Sequence, residues 1–236
     1  MYTFDSRVRY SELAENGCLS LDAMVNYMQD CVTFEAETLD VGMQRMEQKN
    51  RTWVLAFWQI VIDRYPRLGE LMHIGTQAYG FDKMFGYRNF LLTDRQEQCM
   101  VKANSIWVLL DSVKGRPVLV TPEEAEIYGQ AEPLEMEYAP RKIKIPKEGG
   151  QVQEKIRIQE FHLDTNHHVN NAQYVRLASS FVPADRAVHE LRVEYRTQAV
   201  LGDEVIPEAY YSDTQCLIAL KNEKGGVYAV VQFIYA

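Results

Sequence analysis

The densest group of chemically reactive side chains lies between Asp164 and Asn171, where eight residues include one carboxylate, three amides and two imidazoles. Asp164, Asn166 and His168 alternate along the chain, so in an extended loop their side chains would point the same way. A carboxylate, an amide and an imidazole on one side can activate a water, hold it and pass a proton to a leaving group. The pattern therefore predicts acid–base hydrolysis.

This segment lies just ahead of a predicted helix, Asn171 to Phe181. A helix start offers unpaired backbone N–H groups and the positive end of the helix dipole, which can stabilise the oxyanion formed when water attacks a carbonyl. Two other interpretations stay open: Asn170 or Asn171 could cap the helix, and His167 with His168 could bind a metal. No third ligand has metal-like spacing, so we expect neither a metal nor a cofactor.

The first half of the chain has the pattern of a helix followed by strands. Residues 20 to 39 carry apolar side chains at helical spacing, and Ser20 stands where an N-cap belongs. Turn-bounded runs of β-branched and aromatic residues predict four strands, at Trp53 to Asp63, Glu70 to Phe81, Tyr87 to Asp94 and Cys99 to Leu110. One helix and four strands predict an antiparallel sheet wrapped around a central helix.

A linker is predicted at residues 133 to 151, which contain three prolines and a Gly-Gly pair. It separates a domain at residues 1 to 132 from one at residues 152 to 236. In the second domain the order repeats, with a strand at Lys155 to Phe161 and then the helix named above. Four more strands follow, at His189 to Thr197, Glu204 to Tyr211, Gln215 to Asn222 and Val227 to Tyr235. The fold class is therefore α+β, built from two similar halves.

The two halves align at an offset of 150 positions. The offset pairs Ala14 with Asp164, Asn16 with Asn166, and Cys18 with His168. Farther along, Arg67-Leu68-Gly69-Glu70 resembles Val200-Leu201-Gly202-Asp203. The acid and the imidazole are present in the second half alone, which predicts a single active site per chain.

Composition and charge narrow the possible functions. The net charge of −8 argues against a nucleic-acid-binding protein, which needs a basic surface. The longest uncharged apolar stretch, Trp53 to Ile62, is shorter than the roughly 17–25 residues of a membrane span. No signal peptide precedes the first elements, and the four cysteines show no C-x-x-C spacing. These features predict a cytoplasmic protein that binds neither nucleic acid nor membrane.

The segment Asp164-Thr165-Asn166-His167-His168-Val169-Asn170-Asn171 resembles the Asp-x-Asn-x-His-Val-Asn-Asn motif of acyl-acyl carrier protein (acyl-ACP) thioesterases from bacteria and plant plastids. Other stretches similar to this family follow in order: Trp53-Val54, Asp63 to Pro66, Arg88 to Asp94, Ser105 to Val108 and Glu194 to Arg196. The resemblance implies a tandem (double) hotdog fold. It also implies hydrolysis of the thioester between a fatty acyl chain and the phosphopantetheine arm of acyl carrier protein. The start of the chain, without a transit peptide, resembles the bacterial members.

By that resemblance Asp164 is the base or nucleophile, and Asn166 and His168 hold it and the water. The chain departs from the plant pattern at Gln198-Ala199, where plant members have a Glu-Cys pair. The missing Cys argues against a thiol nucleophile. The Gln198 amide could orient a water but not accept its proton, so proton transfer is expected of Asp164 and His168.

Substrate contacts are expected at Asn170 and Asn171, and at Met24 and Met28, which could line an acyl tunnel or belong to the core. Because acyl carrier protein is acidic, its docking needs a local group of basic side chains on this acidic chain. The candidates, each of which could also be ordinary solvated surface, are Arg64, Arg67, Arg88, Arg141, Lys142 and Lys144.

The residues by themselves leave three other functions open. The scaffold could serve an acyl-CoA thioesterase, a hydratase or dehydratase, or an acyl-binding module without catalysis. The sequence also leaves open the preferred acyl chain length, and whether the protein is a monomer or a homo-oligomer.

Overall fold

In the computed structural model, which describes every residue from Met1 to Ala236, the first long helix begins where the sequence predicts. Helix α1 spans Leu21–Thr38, and the Ala23 N–H donates a hydrogen bond to Ser20 Oγ (3.3 Å). A side-chain oxygen in this position satisfies one of the backbone donors that a helix start leaves unpaired. No helix of the structure has both the length and the apolar character needed to cross a membrane.

The other elements include all the predicted strands and several short ones that were not predicted. The remaining helices are α2 (Met43–Gln48), α3 (Pro122–Tyr128) and α4 (Asn171–Ser179). The strands of the first half are β1 (Tyr2–Arg7), β2 (Arg51–Ile62), β3 (Leu71–Asp82), β4 (Phe85–Thr93), β5 (Cys99–Asp111) and β6 (Arg116–Pro117). Those of the second half are β7 (Gln151–Val152), β8 (Ile156–Arg157), β9 (Val188–Tyr195), β10 (Glu204–Tyr211), β11 (Gln215–Lys221) and β12 (Val227–Tyr235).

The chain divides into two compact units, each with its own set of antiparallel strands and its own long helix. The first comprises Met1–Ala56 and Ile62–Tyr138, and the second Phe57–Val61 and Ala139–Ala236. In the first unit the strand order is β1–β3–β4–β5–β2, and α1 packs on β3 and β1. In the second, Phe57–Val61 pairs with β9 and the order continues β12–β11–β10, with α4 packed on β12 and β11. Each unit is thus an antiparallel sheet packed around a helix, as predicted.

The segment predicted as a linker, residues 133 to 151, is held in place by hydrogen bonds. Tyr138 Oη donates to Asn89 Oδ1 in the first unit (3.0 Å). In the second unit the N–H of the buried Ile143 donates to Glu194 Oε2 (3.0 Å). This segment is therefore hydrogen-bonded to the unit on each side and is not a free spacer.

The predicted repeat is present in the structure with the predicted offset. A 3-10 turn spans Tyr10–Glu12 in the first unit and Glu160–His162 in the second. In both units an isolated β-bridge closes a tight turn directly after it, and the helix begins two residues beyond the bridge. The second 3-10 turn replaces the end of the strand predicted at Lys155 to Phe161, of which only β8 forms.

The last residue of each 3-10 turn caps the turn with its side chain. In the first unit the Arg9 N–H donates to Glu12 Oε2 (2.8 Å). In the second the Gln159 N–H donates to His162 Nδ1 (3.0 Å), which requires an unprotonated Nδ1. Burial, and then the positive charge of Arg176, lower the pKa of His162 below its usual range.

We expect the second unit to lose stability as the pH falls below about 6.5, the usual pKa of histidine. The unfolded chain takes up a proton at His162 before the folded chain does, because the folded pKa is the lower one. The His162 contribution is therefore complete above that pH and is lost as the pH falls toward the folded pKa. Urea unfolding of the wild type and of His162→Gln, which keeps an acceptor without the titration, should show a smaller pH dependence in the variant between about pH 7.5 and about pH 5.

The equivalent position in the first unit supplies the control for this experiment. Burial acts to raise the pKa of Glu12, but hydrogen bonds from Arg9 and Tyr27 lower it overall, so its carboxylate stays ionised in this pH range. Glu12→Gln should leave the pH dependence unchanged. An equal change in both variants would contradict a specific role for His162.

A buried ion pair joins the helix of the first unit to its sheet. Arg88 Nη1 on β4 donates to Glu35 Oε2 on α1 and to Thr76 Oγ1 on β3 (3.0 Å for the latter). The Arg88 guanidinium also lies over the ring of Tyr128, 5.9 Å from its centroid. Arg88 is only 5% exposed, so its predicted role in docking a carrier protein is wrong. A buried cation needs a partner anion, and Glu35 supplies it.

Removing one partner of this pair should destabilise the first unit strongly. Arg88→Met leaves the Glu35 carboxylate buried and unpaired, which typically costs about 3–5 kcal/mol. Adding Glu35→Leu should recover most of that loss, because no buried charge remains. Urea unfolding of the single and double variants measures both effects, with the exposed Arg95→Met as the control. Equal stabilities for Arg88→Met and Arg95→Met would contradict the buried pair.

Candidate active site

The segment that precedes α4 is a tight turn, not the extended loop that the alternation suggested. Leu163 and Val169 pair as an isolated β-bridge. Between them the Asp164 N–H donates to the His168 carbonyl (2.8 Å), and the His167 N–H donates to the Asp164 carbonyl (3.1 Å). His167 has φ +59°, a left-handed conformation that non-glycine residues seldom adopt. Asp164, Asn166 and His168 therefore share one tight turn and do not lie along an extended strand.

The Asp164 carboxylate is held by the backbone of the turn. Its Oδ1 accepts hydrogen bonds from the N–H groups of Asn166 (2.8 Å) and His168 (3.2 Å), while Oδ2 has no partner in the protein. In the first unit the turn has a different acceptor, since Asn16 Oδ1 accepts from the Cys18 N–H (3.1 Å). The second unit therefore has a carboxylate at the position of Ala14, whereas the acceptor in the first unit is the amide of Asn16.

Gln198 lies on a loop that contacts this turn directly. His168 pairs with Val200 as an isolated β-bridge, and the Val169 N–H donates to the Ala199 carbonyl (3.0 Å). Gln198 directly precedes Ala199, and its exposed side chain makes no hydrogen bond within the protein. The structure thus brings Gln198 to the turn of Asp164 and His168.

The contacts of this loop with the turn were not predicted, although the sequence carried a signal for them. Arg67 pairs with Cys18 in the first unit as Val200 pairs with His168 in the second. The similarity between Arg67–Glu70 and Val200–Asp203 therefore indicates that both segments make the same contact with the turn of their unit.

Asn170 caps helix α4, which is one of the alternatives that the sequence left open. Its Oδ1 accepts from the Ala172 N–H (2.8 Å), and its carbonyl accepts from the Gln173 N–H (2.9 Å). These two donors of the helix start are therefore engaged, which limits the predicted use of the helix end as an oxyanion site. Asn171 begins α4, and its carbonyl accepts from Tyr195 Oη (3.0 Å). Substrate contacts by either asparagine remain a prediction.

Met24 and Met28 are fully buried in the core of the first unit. Neither lines the cavity of about 300 Å³ beside α2. That cavity is bounded by Leu39, Asp40, Val41, Arg45, Gln48, Lys49 and Ile127. Both methionines are therefore core residues, and their contact with an acyl chain remains a prediction.

The remaining docking candidates differ in how far their charges are available. Arg67, Lys142 and Lys144 are exposed. Arg141 is partly buried, and Arg64 pairs with Glu70 (2.7 Å) and Asp94 (3.4 Å), so its charge is largely neutralised. The exposed three are the better candidates for an acidic partner.

The cysteines of the two cores are poor nucleophiles. Burial raises the pKa of Cys31 to about 12 and that of Cys216 to about 11, so both stay protonated at neutral pH. The structure also contains no group of three or more His, Cys, Asp or Glu side chains arranged to hold a metal ion. The predicted catalytic side chains on the turn and the adjoining loop comprise a carboxylate, an imidazole and two amides: Asp164, His168, Asn166 and Gln198.

Two family models match the chain. The model of the acyl-ACP thioesterase N-terminal domain matches residues 1–128, and the model of the C-terminal domain matches residues 146–236. A chloroplastic palmitoyl-acyl carrier protein thioesterase from Arabidopsis thaliana is 23% identical over 245 residues, which cover 92% of this chain and 60% of the relative. Oleoyl-acyl carrier protein thioesterase 1 of the same plant is 24% identical over 223 residues, 84% of this chain and 60% of the relative. The chain thus spans about 60% of the length of these relatives.

Solved structures share the fold at low sequence identity. An acyl-ACP thioesterase from Bacteroides thetaiotaomicron superposes with a TM-score of 0.90 at 21% identity, covering 99% of this chain and 97% of the other. The 12:0-ACP thioesterase from Umbellularia californica gives 0.87 at 17% identity, covering 100% and 98%. The predicted tandem hotdog fold is confirmed. With both of its halves matched by the corresponding domain models, the chain belongs to the acyl-ACP thioesterase family.

Proposed function

We propose that the protein hydrolyses the thioester of fatty acyl-ACP and releases the free fatty acid. One observation carries the chemistry: the Asp164 carboxylate, on the same turn as His168, has one oxygen fixed by two backbone N–H groups and the other free. Membership of the acyl-ACP thioesterase family supports the choice of substrate. We also propose a cytoplasmic location, which the sequence predicts.

The geometry suggests a division of roles among the four polar side chains. Asp164 takes a proton from water through Oδ2, and the hydroxide adds to the thioester carbonyl carbon. The tetrahedral intermediate then expels the thiolate by breaking the C–S bond. The proton that Asp164 took from water passes through His168 to the thiolate, which completes the thiol and restores both side chains. Asn166 holds the water, and Gln198 orients it without taking a proton, because an amide is no base at neutral pH.

Direct attack by Asp164 on the carbonyl is the competing route, and isotopic labelling separates the two. In a single turnover in water enriched in oxygen-18, the water route puts the label into the fatty acid alone. Label found in the side chain of Asp164 by mass spectrometry would contradict its role as a base.

Asp164→Asn should abolish most of the hydrolysis and leave the fold intact. The amide Oδ1 still accepts the two backbone hydrogen bonds of the turn, while the charge and the base are lost. General acid–base groups typically contribute about 10²- to 10⁴-fold, so we expect kcat to fall within that range. Steady-state release of free thiol from a saturated acyl-ACP measures it.

The matched control is Asn16→Asp, the reverse exchange in the equivalent turn of the first unit. It should leave kcat unchanged, because that turn has no imidazole. Full activity in Asp164→Asn would exclude the proposed site, whereas a wild type that releases no thiol would contradict the thioesterase function itself. Preferred turnover of acyl-CoA over matched acyl-ACP would overturn the proposed substrate.

We further propose that the acidic carrier protein docks through exposed cations that include Lys142 and Lys144. Lys142→Glu combined with Lys144→Glu should raise KM for acyl-ACP about tenfold and leave kcat and the reaction with acyl-CoA unchanged, because rim charges act mainly on encounter. The effect should fade as salt is added. Lys224→Glu, on an exposed hairpin turn, is the charge-matched control. Equal effects of the two changes would contradict docking at residues 142 and 144.

A further inference from the structure

A buried tyrosine on α4 makes a hydrogen bond to the loop of Gln198. Tyr174 lies on α4 and is only 3% exposed. The Ala199 N–H donates a hydrogen bond to Tyr174 Oη (2.9 Å), and Ala199 itself is fully buried. Since the Ala199 carbonyl accepts from the Val169 N–H, this residue is fixed at both its donor and its acceptor.

The aromatic ring of Tyr174 is itself held firmly. It packs edge-on against the ring of Tyr195, with centroids 5.8 Å apart and planes at 67°. Tyr195 Oη in turn donates to the Asn171 carbonyl in the first turn of α4 (3.0 Å). Burial raises the pKa of Tyr174 to about 12, so the hydroxyl stays neutral at physiological pH. The acceptor offered to Ala199 is therefore rigid and uncharged.

The first unit contains the same framework without this hydrogen bond. At the offset of 150 positions, Tyr174 corresponds to Met24, which has no hydroxyl. By the contact that it makes, Ala199 corresponds to Pro66: the Pro66 carbonyl accepts from the Leu19 N–H (2.8 Å) as the Ala199 carbonyl accepts from the Val169 N–H. Proline has no N–H to donate. The donor and the acceptor are thus both present in the unit with the acid–base residues and both absent from the other.

We propose that Tyr174 is a positioning residue, whose hydroxyl anchors Ala199 and thereby sets Gln198 against the turn of Asp164 and His168. The inference rests on the proposed hydrolysis for its effect on rate. Its physical basis is the short path from the anchored backbone of Ala199 to the adjacent side chain of Gln198. A displacement of this loop moves Gln198 relative to Asp164, and small misplacements of reacting groups are costly in rate.

Tyr174→Phe removes the hydroxyl and keeps the ring. We expect kcat for acyl-ACP to fall about tenfold with KM little changed, because the loop position bears on the reacting water and not on the acyl chain. In a Gln198→Ala background the same change should have almost no further effect, since both substitutions then remove one function. Equal effects in the two backgrounds would overturn the proposal, as would an unchanged kcat in Tyr174→Phe.

The control is Tyr211→Phe, which removes another hydroxyl of the second unit. Tyr211 Oη donates to the Phe181 carbonyl at the far end of α4, away from the Gln198 loop. We expect wild-type kcat for this variant. A fall in kcat that matches Tyr174→Phe would show a general response of the unit and contradict a specific anchor.

Amide hydrogen exchange tests the anchor without any substrate. In Tyr174→Phe the segment 197–200 should exchange faster than in the wild type, while Tyr211→Phe leaves its exchange unchanged. Unchanged exchange in Tyr174→Phe would overturn the anchor whatever the protein hydrolyses. A wild type that hydrolyses no acyl-ACP would instead contradict the proposed function, so the two failures are distinct.

If Tyr174→Phe folds poorly, the pair found in the first unit supplies a second variant. Tyr174→Met with Ala199→Pro removes the donor together with the acceptor, so no buried N–H is left unpaired. We expect its unfolding midpoint to return toward that of the wild type while kcat stays low. Recovery of full kcat would show that the hydroxyl only satisfies a buried donor, and would overturn its positioning role.

Discussion

The hydrogen bonds from two backbone N–H groups to Asp164 Oδ1 are the interaction on which the site depends. They attach the carboxylate to the backbone of the turn, and they orient it, because one of its oxygens is fixed. Hydrogen bonds of this kind, from a neutral donor to an ionised acceptor, are shorter and stronger than neutral ones. The backbone of the turn therefore fixes the side chain to which we assign the role of base.

The two units share the backbone framework of this turn and differ in the side chains that it carries. Both units have the same 3-10 turn, bridge and helix start, so the backbone path does not depend on the acid. In the first unit Asn16 supplies a neutral acceptor and Gly17 takes the left-handed position, at φ +75°. The second unit has His167 in that position at φ +59°. The framework is common to both units, and only the second has the carboxylate and the imidazole to which we assign the chemistry.

Much of the fold follows from local patterns. The cap at Ser20, the apolar spacing of α1 and the turn-bounded strands depend on near neighbours, and the structure confirms each of them. Local patterns predicted the structure of the linker and of the turn less well. Alternation predicts one face only for extended backbone, whereas the carbonyl of His168 and the N–H of Asp164 close a turn instead. The linker has the composition of a free spacer, but its backbone donors have buried acceptors far away in sequence.

The sequence by itself determined the repeat, its offset of 150 positions, the presence of acid and imidazole in one half, and the family. The tertiary structure alone decided three things. It buried Arg88 against Glu35, which lies 53 positions away, and so removed a predicted surface cation. It brought the loop of Gln198 to His168, and it placed the Tyr174 hydroxyl within hydrogen-bond distance of the Ala199 N–H. These contacts join residues that are distant in the chain, and their partners depend on packing between elements, which no local periodicity records.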